Sequence, residues 1–134
     1  MILHFWKTGS EAGFDGPVYV SVTDFKVTRL RDYLLAMVTG LRLRAGWRRH
    51  EGSLGLWLWA KPLQQRAGSV SVWRSEEDLM KFVRWPTHVE IMRNFRPRGH
   101  VTSVSWSEPE FQPGPTFKAA AQRLDGGDPE LAHS

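Results

Sequence analysis

The run Ser69-Val-Ser-Val-Trp-Arg-Ser-Glu-Glu-Asp-Leu79 marks a sharp boundary between a strand and a helix. Residues 69–73 alternate between hydroxyl-bearing and apolar side chains, which is the two-residue period of a β-strand. Ser75 and Asp78 then have the spacing of a capping box, in which both side chains satisfy free backbone amides at a helix start. The helix should end near Trp85, because the residue before a proline is pushed out of helical geometry.

Two segments upstream predict two more strands and a helix between them. Residues 17–24 have an apolar face and a hydroxyl-bearing face, with Val18, Val20 and Val22 on the first and Tyr19, Ser21 and Thr23 on the second. Residues 54–60 place leucines on one face and tryptophans on the other, so that strand should be buried on both faces. Residues 27–45 repeat apolar side chains at helical spacing, with Thr28 placed to cap the helix and Gly46 to end it.

The chain after Pro86 predicts a second, short helix and a fourth strand. Thr87 and Glu90 form another capping box. The short helix would carry four candidate inward-facing side chains, namely His88, Ile91, Met92 and Phe95. Residues 100–106 alternate again as a strand, and a further helix is possible over residues 116–124.

The order of these elements indicates the fold. Strand, helix, strand, strand, helix, strand is the split βαβ pattern of ferredoxin-like α+β domains. We therefore expect a four-stranded antiparallel sheet with helices on one face. Residues 1–16 would be an N-terminal extension, residues 17–108 the domain, and residues 109–134 a partly flexible C-terminal tail. The uncovered sheet face would expose apolar side chains, which normally marks an association surface, so we expect a homodimer with its sheets face to face.

Composition narrows the classes of function. The 134 residues include no cysteine, which leaves no disulfides, thiolate metal sites or cysteine nucleophiles. The five histidines are too scattered to predict a metal site. No segment approaches the roughly 18 apolar residues of a membrane span, and no leader sequence is evident. The sequence therefore predicts a cytoplasmic protein with no membrane partner.

The net charge of +4 raises the question of nucleic-acid binding. The basic side chains cluster near one predicted helix end, at Arg42, Arg44, Arg48, Arg49 and His50. Cations are favoured at helix C-termini, so a solvated helix end is the simpler explanation of this cluster. Residues 108–134 carry five acidic and two basic side chains, which divides the charge between a basic body and an acidic tail. We expect no nucleic-acid partner.

A set of short segments carries a family resemblance over roughly residues 17–107. The segments are Tyr19-Val-Ser-Val-Thr23, Arg29-Leu-Arg31, Gly52 with Gly55, residues 69–79, Phe82-Val-Arg84, and His88 with Met92. Together they resemble the spheroidene monooxygenase-like family of the dimeric α+β barrel superfamily, which includes the antibiotic-biosynthesis monooxygenases. The resemblance implies a pocket between the sheet and the helices of each protomer.

That resemblance implies a class of chemistry but not one reaction. Relatives use such pockets for oxygenation, haem chemistry, decarboxylation or isomerisation of apolar and aromatic compounds. Several need no metal or cofactor, because a substrate carbanion reacts with oxygen, whereas spheroidene monooxygenase itself is taken to use haem. Fold alone does not choose between these chemistries. The cofactor expected here is accordingly none or haem.

His88 is the candidate catalytic residue. A histidine at the start of a short helix after a helix break can reach into the pocket, and its near-neutral pKa suits proton transfer or, with haem, ligation. The alternative is a histidine that only caps or packs. Trp73 lies where relatives place a pocket-lining aromatic and could stack on a planar substrate, and the alternative for it is core packing.

The candidate substrate-binding residues are polar groups around that pocket. Four hydroxyls alternate along two strands that should be neighbours, at Ser21, Thr23, Ser69 and Ser71. They would orient a substrate if they face the helices, and would meet the dimer partner if the valines do. Met92 and Arg93 complete the set on the short helix. Arg93, with Arg96 and Arg98, could bind a carboxylate or a haem propionate, although a solvated basic helix end is the alternative.

The expected function is that of a small-molecule enzyme of secondary metabolism. A monooxygenase-like step on an apolar or aromatic substrate fits the resemblance best. The alternatives are a non-catalytic ligand-binding or accessory protein on the same scaffold, or a cofactor-free isomerase, cyclase or decarboxylase.

Overall fold

The computed structural model describes residues 2–124 as an antiparallel sheet with helices packed on it. The strands are β1 (Leu3–Thr8), β2 (Val18–Val27), β3 (Ser53–Lys61), β4 (Arg66–Trp73) and β5 (Gly99–Glu108). The helices are α1 (Leu30–Ala45), α2 (Glu76–Arg84), α3 (Pro86–Phe95) and α4 (Pro113–Leu124). The strand order is β1-β3-β4-β2-β5 with every neighbouring pair antiparallel. The ferredoxin-like α+β fold is thus confirmed, but the sheet has five strands rather than four.

The fifth strand comes from the segment that the sequence predicted to be an extension. β1 pairs with β3 from Leu3 opposite Ala60 to Thr8 opposite Gly55. Aromatic packing supports this pairing, since the Trp6 ring lies tilted against Trp57 with centroids 4.4 Å apart and stacks on Phe111 at 5.6 Å. β1 is only six residues long and precedes a turn-rich run, so the alternation of side chains did not predict it.

The pairing of β2 with β4 separates apolar from hydroxyl-bearing side chains. Val20 lies opposite Val72, and Ser21 lies opposite Ser71. Because strand side chains alternate between faces, this register stacks valines on one face and hydroxyls on the other. The two faces of the sheet therefore differ in polarity and need different packing partners.

The valine face is covered by α4 of the same chain. Ala120 and Leu124 are fully buried in a cluster with the valines of β2 and β4. At one end of α4, the Thr116 hydroxyl donates to a Glu108 carboxylate oxygen at 2.6 Å. At the other end, Arg66 Nη2 donates to the carbonyl of Leu124 at 2.6 Å, where cations are favoured. The expectation that this face is exposed was wrong, so it no longer supports a dimer.

Helix starts agree only in part with the capping predictions. The backbone N–H of Asp78 donates to Ser75 Oγ at 3.2 Å, which confirms the cap of α2. The caps predicted at Thr28 and Thr87 were wrong, because α1 and α3 have no side-chain cap bond. α3 begins directly at Pro86, whose fixed φ suits the first helical position and whose missing N–H costs nothing there. Residues 125–134 of the predicted tail lie outside the described residues.

Packing of α4 on the valine face predicts a large stability effect. Leu124→Ala should lower the free energy of unfolding by about 2–5 kcal/mol, because it opens a cavity in a fully buried cluster. Lys118→Ala, at an exposed position of the same helix, should change it by less than about 0.5 kcal/mol. Urea titration followed by circular dichroism measures both. Equal midpoints for the two variants would contradict this placement of α4.

Candidate active site

A cavity of about 690 Å³ lies between the other face of the sheet and helices α1–α3. This size is within the usual range for sites that enclose small organic molecules. Its walls are apolar and come from all three helices, at Ala36, Met37, Gly40, Leu41, Leu79, Phe82, Val83, Ile91, Met92 and Phe95. Its sheet side carries hydroxyls. The cavity is therefore apolar on one side and hydrogen-bonding on the other.

Five hydroxyls form the floor of the cavity. They come from three adjacent strands, at Ser21, Thr23, Ser69, Ser71 and Ser103. Ser69, Thr23 and Ser103 lie side by side in the register of β4, β2 and β5. The hydroxyl face thus points toward the helices, which answers the question that the sequence left open. Ser103 was not predicted, although the alternation of β5 contained the signal.

His88 reaches this cavity from the start of α3. Its Nδ1 lies 3.1 Å from the backbone carbonyl of Val83, and its ring centroid lies 4.6 Å from that of Phe82. The Pro86 break frees the Val83 carbonyl near the end of α2, because the helix cannot continue to satisfy it. His88 therefore caps the preceding helix and does not cap its own.

Burial keeps His88 neutral. Desolvation lowers its pKa below 6.5 and the charge of Arg96 lowers it further, whereas the Val83 carbonyl acts in the opposite direction. A neutral ring that donates from Nδ1 to a carbonyl has its lone pair on Nε2. In this tautomer the side chain presents a proton acceptor to the cavity that it lines.

Not every predicted site residue lines the cavity. Ser21, Thr23, Ser71, Met92 and His88 do. Trp73 was expected to line the cavity but is fully buried behind the cavity wall. Its ring centroid lies 5.5 Å from that of Trp47, and its Nε1 donates to Ser71 Oγ at 2.9 Å. The strand end carries Trp73 beyond the open part of the cavity, so its contact with the site is indirect.

The three predicted arginines have separate environments. Arg93 is exposed, lies 3.7 Å from the Glu90 carboxylate, and does not line the cavity. Arg98 is bonded to the buried Asp32 at 2.7 Å. Arg96 lines the cavity and is the one fully charged side chain among its described lining residues. Arg93 lies in α3, whereas Arg96 and Arg98 belong to the 3-10 turn that follows it, so proximity in sequence did not predict a shared environment.

His50 was read as part of a basic cluster, but its ring belongs to an aromatic one. It packs between the rings of Trp47, Phe82 and Trp85, with centroid distances of 4.8–4.9 Å. Burial, then the charge of Arg49 and, once it is protonated, that of His88 lower its pKa from 6.5 to about 4. His50 does not line the cavity, and it supports Phe82 from behind.

Known protein structures share this arrangement of sheet and helices. A ferredoxin-fold protein from Listeria monocytogenes, described as related to antibiotic biosynthesis monooxygenases, has 18% identity and a TM-score of 0.56. The alignment covers 69% of this chain and 57% of that one, so the chain matches little more than half of that protein. SnoaB, a cofactor-independent oxygenase from Streptomyces nogalater, has 13% identity and a TM-score of 0.59 over 72% of this chain and 97% of its own. The chain has the fold of the antibiotic biosynthesis monooxygenases.

A third similar structure belongs to an enzyme that carries out a different reaction. LmHde, a heme-degrading enzyme from Listeria monocytogenes, has 17% identity and a TM-score of 0.51 over 63% of this chain and 59% of its own.

No family model and no curated protein matches the sequence. Within residues 2–124, no group of three or more histidine or acidic side chains could hold a metal ion, and no helix is long and apolar enough to cross a membrane.

The lowered pKa values of His50 and His88 predict acid sensitivity. In the unfolded chain each imidazole takes up a proton near pH 6.5, whereas in the folded chain His50 does so only near pH 4 and His88 below its usual value. The unfolded state therefore binds more protons, and the free energy of unfolding should fall as the pH drops from about 6.5 toward 4. Denaturant titrations across this range measure the slope. His50→Phe keeps a ring in the aromatic cluster and should flatten that slope; an unchanged slope would contradict the assignment.

Proposed function

We propose that this chain is an oxygenase that binds a largely apolar, aromatic small molecule in the cavity and uses His88 as the base. The observation that carries the proposal is the pairing of a neutral imidazole with a floor of hydroxyls in a cavity whose helical wall is apolar apart from Thr39 and Arg96. Proton abstraction beside a carbonyl requires a base and hydrogen-bond donors that stabilise the resulting anion, in a pocket that excludes water.

The lining favours a particular class of ligand. A flat ring system would contact the leucine, methionine and phenylalanine side chains of the helices, while its carbonyl or phenol oxygens meet the floor hydroxyls. Arg96 provides a single positive charge, which suits a ligand that carries, or acquires, one negative charge.

The proposed reaction takes its electrons from the substrate. Nε2 of His88 removes a proton from a substrate CH2 group activated by a neighbouring carbonyl or phenol. The floor hydroxyls and Arg96 then stabilise the resulting anion, since preorganised donors favour charge that develops during reaction. Reaction of that anion with O2 converts the CH2 group to a carbonyl and releases one water molecule, so no external reductant is needed. The cofactor-independent oxygenase SnoaB, which has this fold, is a precedent.

Haem fits the lining less well. Nε2 of His88 is the available ligand for an iron, but haem carries two propionate groups and Arg96 is the only fully charged side chain among the described lining residues. The carboxylate-binding role predicted for Arg93 and Arg98 has no support, because both are paired with acidic side chains elsewhere. The proposed reaction therefore uses no haem. Titration with haem, followed at its Soret band, tests this preference.

Other functions on the same scaffold are distinguished by oxygen consumption. A cofactor-free isomerase, cyclase or decarboxylase would use the same base without consuming O2. A ligand-binding or accessory protein would bind without turnover. An oxygen-electrode screen with aromatic ketones and polyphenols should show uptake for the proposed oxygenase. Binding of these compounds without uptake by any of them would favour the alternatives.

Replacement of His88 separates catalysis from packing. With the substrate identified by that screen, His88→Ala should lower turnover by roughly 10²- to 10⁴-fold, as expected for loss of a positioned base. His100→Ala removes an exposed imidazole of β5 and should leave turnover unchanged. Circular dichroism confirms that each variant is folded. Full activity of a folded His88→Ala variant would make His88 a structural residue.

The hydroxyl floor predicts a binding effect without loss of shape. Thr23→Val is nearly isosteric, so it should weaken binding of the same ligand by up to about tenfold through loss of one hydrogen bond. Thr102→Val makes the same change on the opposite face of β5, where it should not affect binding. Isothermal calorimetry measures both affinities. Equal affinities for the two variants would remove Thr23 from the binding site.

A further inference from the structure

Helix α1 exposes apolar side chains that its sequence pattern would place in a core. Leu30 and Leu34 are 61% and 56% exposed, and the buried residues of α1 are instead Asp32 and Tyr33. The exposed apolar residues of this helix are Leu30, Leu34, Leu35, Val38 and Leu41. At about 100° per residue they span roughly 140° of the helix circumference. One apolar stripe therefore faces outward between Leu30 and Leu41.

The stripe continues onto the neighbouring edge strand. Leu3 and Phe5 of β1 are exposed on the helix side of the sheet. β1 lies beside α1, because Arg44 Nη2 donates to the carbonyl of Trp6 at 2.7 Å. The combined set of Leu3, Phe5, Leu30, Leu34, Leu35, Val38 and Leu41 is called the α1–β1 surface below. Seven exposed apolar side chains on two neighbouring elements seldom face water without a partner.

The charges around the α1–β1 surface are of one sign. The exposed charged residues from Lys26 to Arg49 are all basic, at Lys26, Arg29, Arg31, Arg42, Arg48 and Arg49. The only acidic residue in this range, Asp32, is buried and bonded to Arg98. Arg31 and Arg42 lie within the arc of the stripe, near its two ends, since helical geometry places both at angles between those of Val38 and Leu35. Long arginine side chains in such a stripe can reach anionic headgroups while their apolar stems stay in the membrane interface.

This charge pattern disfavours a second copy of the chain as the partner. A two-fold contact places the same patch on both subunits, so arginines would face arginines. With no exposed acidic side chain in this range, the arginines would have no opposite charges on the partner copy. Anionic lipid headgroups supply those opposite charges over an extended plane.

The α1–β1 surface and the cavity share side chains. Phe5 and Leu41 belong to the α1–β1 surface and also line the cavity. An apolar ligand dissolved in lipid would thus have an apolar route to the floor hydroxyls.

We propose that the α1–β1 surface docks peripherally on an anionic lipid bilayer, so that the cavity receives its ligand from the membrane. This proposal goes beyond the oxygenase function, because docking does not require turnover. It is compatible with the absence of a membrane-spanning helix in residues 2–124. It does revise the expectation, drawn from composition, that the protein has no membrane partner.

Vesicle sedimentation tests the proposal directly. The protein should bind vesicles that mix phosphatidylglycerol with phosphatidylcholine, and should bind pure phosphatidylcholine vesicles at least about tenfold more weakly. Binding should decrease as salt is raised, because salt screens the attraction of exposed arginines to the headgroups. Failure to bind the anionic vesicles would overturn the proposal whether or not the protein has oxygenase activity.

Matched variants locate the docking surface. Arg31→Glu with Arg42→Glu should weaken vesicle binding by at least about tenfold, and Leu34→Gln with Val38→Gln should also weaken it. The control is Val89→Gln with Arg93→Glu, which makes the same kinds of change at exposed positions of α3 and should leave binding intact. An equal loss in the control would overturn the assignment. A stable dimer in light scattering that Leu34→Gln converts to monomer would assign the surface to a second copy instead.

Discussion

The in-register pairing of β2 with β4 and β5 is the constraint on which the rest of the structure depends. Because side chains alternate along each strand, the pairing of Val20 with Val72 also forces Ser21 opposite Ser71. A slip of one residue would bring valines into contact with the cavity and place hydroxyls under α4. Both the core and the candidate active site therefore follow from one register.

The two faces of the sheet are completed in different ways. The valine face is closed by α4, whose Ala120 and Leu124 are fully buried there, so burial of apolar surface stabilises this side. On the other face, hydroxyls of β2, β4 and β5 line a cavity whose opposite wall is apolar. Packing those hydroxyls tightly against leucine and phenylalanine would leave hydrogen bonds unmade, which is costly. In the proposed function, a ligand bound in the cavity supplies those bonds.

The break between α2 and α3 determines the tautomer of His88, the candidate base. Pro86 ends one helix and begins the next, which frees the Val83 carbonyl to accept from Nδ1 of His88. That bond assigns the lone pair to Nε2, while burial and Arg96 lower the pKa and keep the ring neutral. Backbone geometry at one proline thus determines which nitrogen can act as a base. The aromatic cluster around His50 and Phe82 holds the same region from behind.

The sequence by itself determined the elements with a regular period. Alternation predicted the strands at residues 17–24, 54–60, 69–73 and 100–106, and helical spacing predicted α1, because local side-chain periodicity reports which face of an element is apolar. Only the tertiary structure decided what covers each face. It added β1 at the sheet edge, placed α4 where a partner was expected, turned the leucines of α1 outward, and separated Trp73 and Arg93 from the cavity that His88 lines. These outcomes depend on contacts between residues far apart in sequence, which a local pattern does not encode.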